Sequence, residues 1–400
     1  MIYLDYSATS PLLPCAKKAM ITAMDLVGNP SALHTPGHLA MNKIEEAREE
    51  IAKLIGAKPE EILFTSGGSE SNNTVTNIFA GEKVAVSAIE HPSLLESARL
   101  RCETTILPVD DTGMVHTIFS SDLRNNNNRQ SETRPSLVSI MLANNEIGTI
   151  NDIKKLAAEA HAAGALFHTD ATQALGKIAI DVKELDVDYM TLSSHKIGGP
   201  VGIGALYIKQ GAKFKPFIVG GHQERSRRAG TYQTVNIAGF GAAARYTRKQ
   251  NLPNIYLKKI MPLRNQLAAE ILKKVPYSSV NTPLKKNGAS LLALPNILNC
   301  SFEAAEGESI QLYLDAEGDI ITSTGSACAS GDGKPSHVIM ATKNDAEVAH
   351  SSVRFSFGPE SSKEDIDAVM NYLPNIVKRL QGISTLTAGK IRKEDSYYGK

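Results

Sequence analysis

Tryptophan is absent from this chain and cysteine is scarce: Cys15, Cys102, Cys300 and Cys328 are the only four, far apart and without CxxC spacing. That spacing argues against a disulfide framework or a structural zinc site, so no metal is expected, and it suits a reducing compartment. The three cysteines other than Cys328 are expected to be small core residues. An excess of charge of one sign is missing too. Lys plus Arg number 43 and Asp plus Glu 42, a net charge of +1, so no global field draws the chain to nucleic acid or an anionic membrane. No apolar run reaches the roughly 18 residues that a spanning helix needs. The opening "MIYLDYSATSPLLP" has neither a basic start before an apolar core nor an Arg/Ser-rich transit pattern, and a cytoplasmic location is expected. No internal repeat is visible, and partners must be recognised locally.

What is present suits a soluble globular chain: 400 residues, 42% hydrophobic and 21% charged, enough for two cores. From about residue 38 to 325 helical and strand-like segments alternate, which predicts an α/β fold with a mainly parallel sheet covered by helices on both faces. "HLAMNKIEEAREEIAKLIG" places Ile44, Ala47, Ile51 and Leu54 on one helical face and stops at Gly56. "KVAVSAI", "LVSIMLA", "ALFHTDA" and "YMTLSS" read as buried strands. Each ends in polar residues: Glu90 and His91, Asn144 to Glu146, Asp170 with Gln173, and Ser193 to Lys196. In open parallel sheets ligands bind beyond the carboxyl ends of the strands, so these clusters are expected to converge on one crevice. Residues 15–255 are expected to form a large domain, 1–14 with 256–385 a smaller α+β domain, and 386–400 a frayed tail. The polar run "RNNNNRQSETRP" (124–135) reads as a surface loop without chemistry.

"FTSGGSESNN" runs from a strand through Gly67 and Gly68 into a helix start, where free N–H groups, the helix dipole and the Ser69 hydroxyl can cradle a phosphate. A plain turn with an N-cap has the same pattern. Lys196, in "SSHKIGGPVGIGALY", stands between a strand end and glycines 198, 199 and 202, which would leave room for a planar ligand. Lysines are mostly solvated surface charges, but a desolvated one can form a Schiff base with an aldehyde cofactor. Pyridoxal phosphate needs such a lysine, an acid for its ring nitrogen, a flat group over the ring and a phosphate nest. Asp170 can supply the acid, or merely cap a helix; His91 can supply the flat group, or be a hydrogen-bonded core histidine.

Taken in order, "YLDYSATSP", "TSGGSESNN", "EHPS", "NNEIGTI", "HTDATQALGKI", "SSHKIGGPVGIGALY", "GGHQERSRRAGT", "GSACASG" and "SVRFSFG" resemble the motifs of cysteine desulfurases of the NifS/IscS type, within the class V aminotransferase family. The resemblance covers roughly residues 2 to 380. It implies a fold type I homodimer with a seven-stranded sheet, using pyridoxal 5'-phosphate to take sulfur from L-cysteine and leave L-alanine. "SACASG" resembles the branch with the longer cysteine loop rather than the SufS-like branch.

Carried over by motif, Lys196 is the Schiff-base lysine, His91 the stacking and proton-relaying histidine, Asp170 the pyridinium partner and Gln173 a donor to the cofactor's phenolic oxygen. Gly68, Ser69, Ser193 and His195 would hold the phosphate, with Thr231 from the other subunit. Asn145 and Arg354 would grip the substrate carboxylate, Arg354 through its bidentate fork. Position 69 is often threonine in the family; the serine here keeps the hydroxyl. Cys328 would receive the sulfur as a persulfide and pass it to a sulfur-acceptor or iron–sulfur scaffold protein.

The stretch "STGSACASGDGKPSHV" around Cys328 holds almost nothing apolar and is expected to be an exposed mobile loop. Tethered at Ser323, the thiol could travel up to roughly 15 Å. An accidental surface thiol is the plainer reading of that stretch alone. Selenocysteine lyase or another class V enzyme, needing no Cys328, is the rival within the fold; a non-catalytic assembly partner is the rival outside it.

Overall fold

The computed structural model describes residues 1–118, 134–284, 291–324 and 335–386, with the backbone alone at 286, 287 and 290. The run 325–334 that holds Cys328, most of the polar stretch at 124–135 and the tail from 387 lie outside the described residues.

Runs such as "KVAVS" and "YMTLS", apolar on both sides of the strand, suit a sheet covered on both faces. The described strands in chain order are β1 (Ile2–Tyr3), β2 (Ile62–Thr65), β3 (Lys83–Ser87), β4 (Glu103–Leu107), β5 (Leu137–Ser139), β6 (Leu166–Asp170), β7 (Tyr189–Ser193), β8 (Gly204–Ile208), β9 (Ser278–Val280), β10 (Lys286–Asn287), β11 (Ser290–Leu291), β12 (Ile297–Phe302), β13 (Ile320–Ile321) and β14 (Ser352–Ser356). Seven of them form one sheet in the order β2-β8-β7-β6-β5-β3-β4. Only β8 runs against its neighbours, so the sheet is mainly parallel, as expected.

Helices cover this sheet because their apolar faces have nowhere else to go. The helix Thr35–Ile55 is capped by His34, whose Nδ1 accepts from Gly37 N at 3.1 Å, and ends at Gly56 with φ +72°, a left-handed turn that suits glycine. Ile44, Ala47 and Ile51 are buried beneath it. A second apolar core gathers Leu4, Tyr256, Leu267, Phe302, Phe355 and Leu373 around the antiparallel sheet β14-β12-β9. The chain's start joins the two parts: β1 pairs with β13, Tyr6 N donates to Ser356 O at 3.3 Å, and Ser10 N donates to His195 O at 2.9 Å.

Of the three described cysteines only Cys300 is buried. Cys15 and Cys102 are half-buried, because one opens the helix Pro14–Met24 and the other closes the helix Pro92–Arg101, at ends that reach the surface. The expectation of three core cysteines is corrected accordingly.

Candidate active site

β3, β5, β6 and β7 run parallel. β8 is antiparallel to both β7 and β2, so β2 points the same way as the parallel set. All five carboxyl ends therefore open on one edge, where Gly68, His91, Asn145, Gln173 and Lys196 follow them.

Lys196 lies in the short turn Ser194–Ile197, closed by Gly198 at φ +75°. Its Nζ donates to Ser7 O at 2.6 Å and Ala8 O at 2.7 Å, while its carbonyl accepts from Ser10 Oγ at 3.0 Å and Lys177 Nζ at 2.6 Å. His195 Nδ1 meets Thr9 Oγ1 at 3.2 Å. Residues 7–10 are thus folded over the lysine turn. Burial pushes the His195 pKa down to about 4, with the charges of Lys196 and Lys177 acting the same way. Two of the three nearby glycines serve packing rather than ligand room. A Cβ on Gly198 would meet Leu13 Cγ at 2.6 Å and one on Gly199 would meet Ser194 Oγ at 2.1 Å; at Gly202 the nearest atom would be Asn236 Nδ2 at 3.8 Å.

Asp170 ends β6 and is buried. Asn72 Nδ2 donates to its Oδ2 at 2.9 Å, and Thr172 N donates to its Oδ1 at 2.9 Å. No helix begins directly after Asp170, so it caps none; Oδ1 closes the turn after β6 and Oδ2 reaches a side chain of another element. Gln173 Nε2 donates to Ser7 O at 2.9 Å, while its Oε1 is buried without a protein partner, as are Thr172 Oγ1 and Asn72 Oδ1. Ser193, at the end of β7, is buried beside them. Beneath this floor His168 bridges Ser139 Oγ at 2.7 Å and Thr191 Oγ1 at 3.0 Å, and burial lowers its pKa to about 4.

His91 caps the helix Pro92–Arg101. Ser93 N donates to its Nδ1 at 3.1 Å, which fixes that nitrogen as an acceptor and leaves the proton of the neutral ring on Nε2. The ring opens to the crevice but is closely walled by protein; desolvation lowers its pKa, Asp170 opposes, and Lys196 and His337 add to the lowering. Its neighbour Glu90 faces inward. Glu90 Oε1 accepts from Ser87 Oγ at 2.5 Å and Met141 N at 2.6 Å, and burial pushes its pKa up to about 8.

Gly67, at φ +149° and ψ −176°, adopts backbone open to glycine, and a Cβ on Gly204 would meet Gly67 Cα at 2.7 Å. Gly68 starts the helix Gly68–Ile78, whose first N–H groups have no intrahelical acceptor. Ser69 is exposed at that end. Glu70 holds Arg228 through both carboxylate oxygens, at 2.9 and 3.0 Å. Burial would raise the pKa of Glu70, but hydrogen bonds from Arg228 and Ser66 outweigh it, and it is lowered.

The loop carrying Arg228 ends in Thr231, which is exposed. Glu224, Arg225 and Ser226 have φ of +49°, +58° and +62°. Glu224 accepts from Arg48 Nη1 and Nη2 at 2.8 and 2.7 Å and from Phe64 N at 3.0 Å, contacts that hold the loop in that left-handed run.

Arg354, on β14, donates from Nη1 to Asn145 O at 2.9 Å and from Nη2 to Asp5 Oδ1 at 2.8 Å; its Nε is buried without a partner. Burial raises the pKa of Asp5, with Arg354 opposing. Asn145 and Arg354 are thus brought together. The described residues flanking 325–334 are fastened to the same surroundings. Arg354 N donates to Ser323 O at 2.6 Å, Ser336 Oγ to Glu146 Oε2 at 2.5 Å, and His337 Nε2 lies 2.9 Å from Glu90 O.

Sequence reasoning missed Asn72, Asp5, Ser7 and Lys177 as neighbours of the site. All four stand inside motifs quoted above, Lys177 within "HTDATQALGKI", and their place in those motifs was the available signal.

Among curated relatives, "Cysteine desulfurase IscS" of Dictyoglomus turgidum is 41% identical over 394 residues, covering 96% of each chain. A protein of the same name from Methanosarcina thermophila is 40% identical over 402 residues, covering 98% of this chain and 95% of its own. Among solved structures, a NifS-like protein from Rickettsia africae superposes with a TM-score of 0.83 at 32% identity, over 94% of this chain and 99% of its own. Residues 2–369 match the class-V aminotransferase family. The chain belongs to that pyridoxal-phosphate-dependent family and, within it, to the cysteine desulfurases of the NifS/IscS type.

Proposed function

We propose that this chain converts L-cysteine to L-alanine and carries the released sulfur as a persulfide on Cys328 to an acceptor protein. The observation that carries this reading is the anchoring beside the crevice of the chain on both sides of the Cys328 run: Ser323 on Arg354, and Ser336 with His337 on Glu146 and Glu90. Cys328 is five residues from Ser323 in sequence, and a tether of that length spans at most roughly 15 Å, a range that suits delivery from a substrate gripped by Arg354.

The residues present fit pyridoxal phosphate. A buried carboxylate, Asp170, stands ready for a protonated ring nitrogen, and Gln173 and Thr172 keep buried oxygens that no protein donor satisfies. The Gly67–Gly68 turn offers N–H groups to a phosphate together with Ser69, Ser193 and His195. Lys196 would hold the cofactor through its aldehyde carbon, and His91 would lie against the ring. When bound, the cofactor supplies an electron sink for the pair left on the substrate's α-carbon.

The chain's own groups do the rest. Asn145 and Arg354 orient the substrate carboxylate, and the Lys196 amine takes the α-proton. The Cys328 thiolate attacks the substrate sulfur. An S–S bond forms, the Cβ–S bond breaks, and its electron pair ends with a proton on Cβ as alanine. With Nδ1 engaged by Ser93, neutral His91 presents Nε2–H to the crevice. It serves there as a proton donor, which leaves the substrate to accept the proton of Cys328.

The same reading takes the enzyme as a cytoplasmic homodimer completed by the partner's Thr231, serving iron–sulfur assembly or other sulfur-bearing products. No helix among the described residues is long and apolar enough to cross a membrane. The division into a domain of residues 15–255 and a smaller one of 1–14 with 256–385 is supported by the two largest apolar cores, which follow it except that Leu252 joins the second and Leu294 and Ile297 the first.

Mass spectrometry after incubation with L-cysteine tests the reading: the Cys328 peptide should gain one sulfur atom, and Cys328→Ala should abolish catalytic alanine formation. Undiminished alanine from Cys328→Ala would move the chain to the rival class V activities.

A further inference from the structure

Lys177 is 1% exposed, yet among the described residues no carboxylate is paired with it. Among the described residues its amine makes one hydrogen bond, to the carbonyl of Lys196 at 2.6 Å. A buried ammonium has three donors and is costly unless paired. Here the remaining donors border a cavity of about 80 Å³, lined among others by Tyr6, Leu175, Tyr246, Tyr256 and Glu360. That is room for several waters at about 10–15 Å³ each, which accounts for how the charge survives burial but not for why a lysine stands there.

Its backbone explains the aim of the side chain. Gly176 turns at φ +75°, where a Cβ would meet Ile197 Cγ2 at 2.9 Å, so this turn packs directly on the Lys196 turn. Gln173, four residues earlier, holds Ser7 O, the same carbonyl that receives the Lys196 amine. Lys196 is therefore held at its carbonyl by Lys177 and Ser10, and at its amine by Ser7 and Ala8.

We propose that Lys177 is a positioning residue for Lys196: by fixing the Lys196 carbonyl from behind it holds the lysine turn so that the Lys196 amine is aimed at an incoming aldehyde. Burial, with the charge of Lys196 adding to it, draws Lys177 itself down to about 7, so near neutral pH Lys177 is only partly charged, and it donates to the Lys196 carbonyl in either state. The other titratable groups around it are His195 on the lysine turn and Tyr6, Tyr246, Tyr256 and Glu360 along the cavity. The inference rests on the assignment of Lys196 as the residue that binds the cofactor.

The test is the rate at which apoenzyme captures added pyridoxal phosphate on Lys196, quenched with borohydride, read by peptide mass and followed across a pH series. Lys177→Met should slow capture roughly tenfold across the whole pH series while leaving the half-maximal pH where it is in the parent. Lys177→Arg keeps charge and donor and should stay within about threefold. Should Lys177→Met not fold, the neutral Lys177→Gln carries the same expectation. A neutral variant whose apoprotein melts like the parent and captures cofactor at the parental rate overturns the inference. Parental enzyme labelled elsewhere than Lys196 overturns the underlying assignment, and this inference with it.

Discussion

Arg354 Nη2 donates to Asp5 Oδ1 at 2.8 Å, tying β14 to the N-terminal segment whose Ser7 and Ala8 carbonyls receive the Lys196 amine. The guanidinium proposed to hold substrate is thus prepositioned by a carboxylate of its own chain, and its buried Nε is still unpartnered. Charge alone does not reproduce that planar fork.

Arg354→Lys keeps the charge and loses the fork. It should raise KM for L-cysteine roughly tenfold or more, while changing kcat far less and leaving the absorbance of the bound cofactor unchanged. Steady-state kinetics check this, and an unchanged KM would remove Arg354 from the substrate site.

Glu90 makes stability depend on pH in a direction opposite to that of a paired carboxylate. Its pKa is raised from 4.5 to about 8 by burial, so between those values the native state binds more protons than the unfolded one. Stability from this group is complete below the unfolded pKa and falls as pH rises towards the folded one, by at most about 1.4 kcal/mol per pH unit. Glu90→Gln cannot ionise. Its melting temperature relative to the parent should therefore climb from pH 5 to pH 8, as calorimetry would show; a constant difference would mean that Glu90 is ionised in the native protein.

How much of this was legible in the sequence depended on distance along the chain. Strand ends were readable because short apolar runs such as "ALFHT" stop abruptly at Asp170, and the helix stop at Gly56 because only a left-handed turn follows it. The pairs that aim the site were not. Asp5 and Arg354 are separated by 349 positions and Glu70 and Arg228 by 158, and nothing local in either member reveals the other. The glycines after Lys196 misled for a related reason: a missing Cβ makes room, but whether for ligand or for Leu13 depends on an element far upstream.

Two arginines of "GGHQERSRRAGT" spend donors within their own chain, Arg228 on Glu70 and Arg227 on Glu60 O at 3.0 Å. Thr231 remains exposed, as do large apolar residues at Ile21, Met24, Leu33 and Val219. A homodimer that brings Thr231 to the neighbouring cofactor should appear in sedimentation, and cofactor loss should accompany dissociation on dilution. Full activity from a strictly monomeric enzyme would refute the shared site.

The last prediction concerns the run between the anchors at Ser323 and Ser336. A chain spans at most about 3.3–3.6 Å per residue, so the reach of Cys328 is set by how many residues separate it from each anchor. Gly331, Asp332 and Gly333 lie on the side of Ser336, and two of the three are glycines with little steric resistance to rearrangement. Deleting them leaves Lys196, Asp170, His91 and Arg354 untouched. The spectral change on adding L-cysteine should therefore persist, whereas transfer of the persulfide to an acceptor protein should fall at least about tenfold. Both can be followed in one preparation, by absorbance and by labelled sulfur on the acceptor. If the shortened enzyme delivers sulfur as fast as the parent, Cys328 does not act as a carrier between crevice and surface, because a carrier's range must depend on the length of its tether.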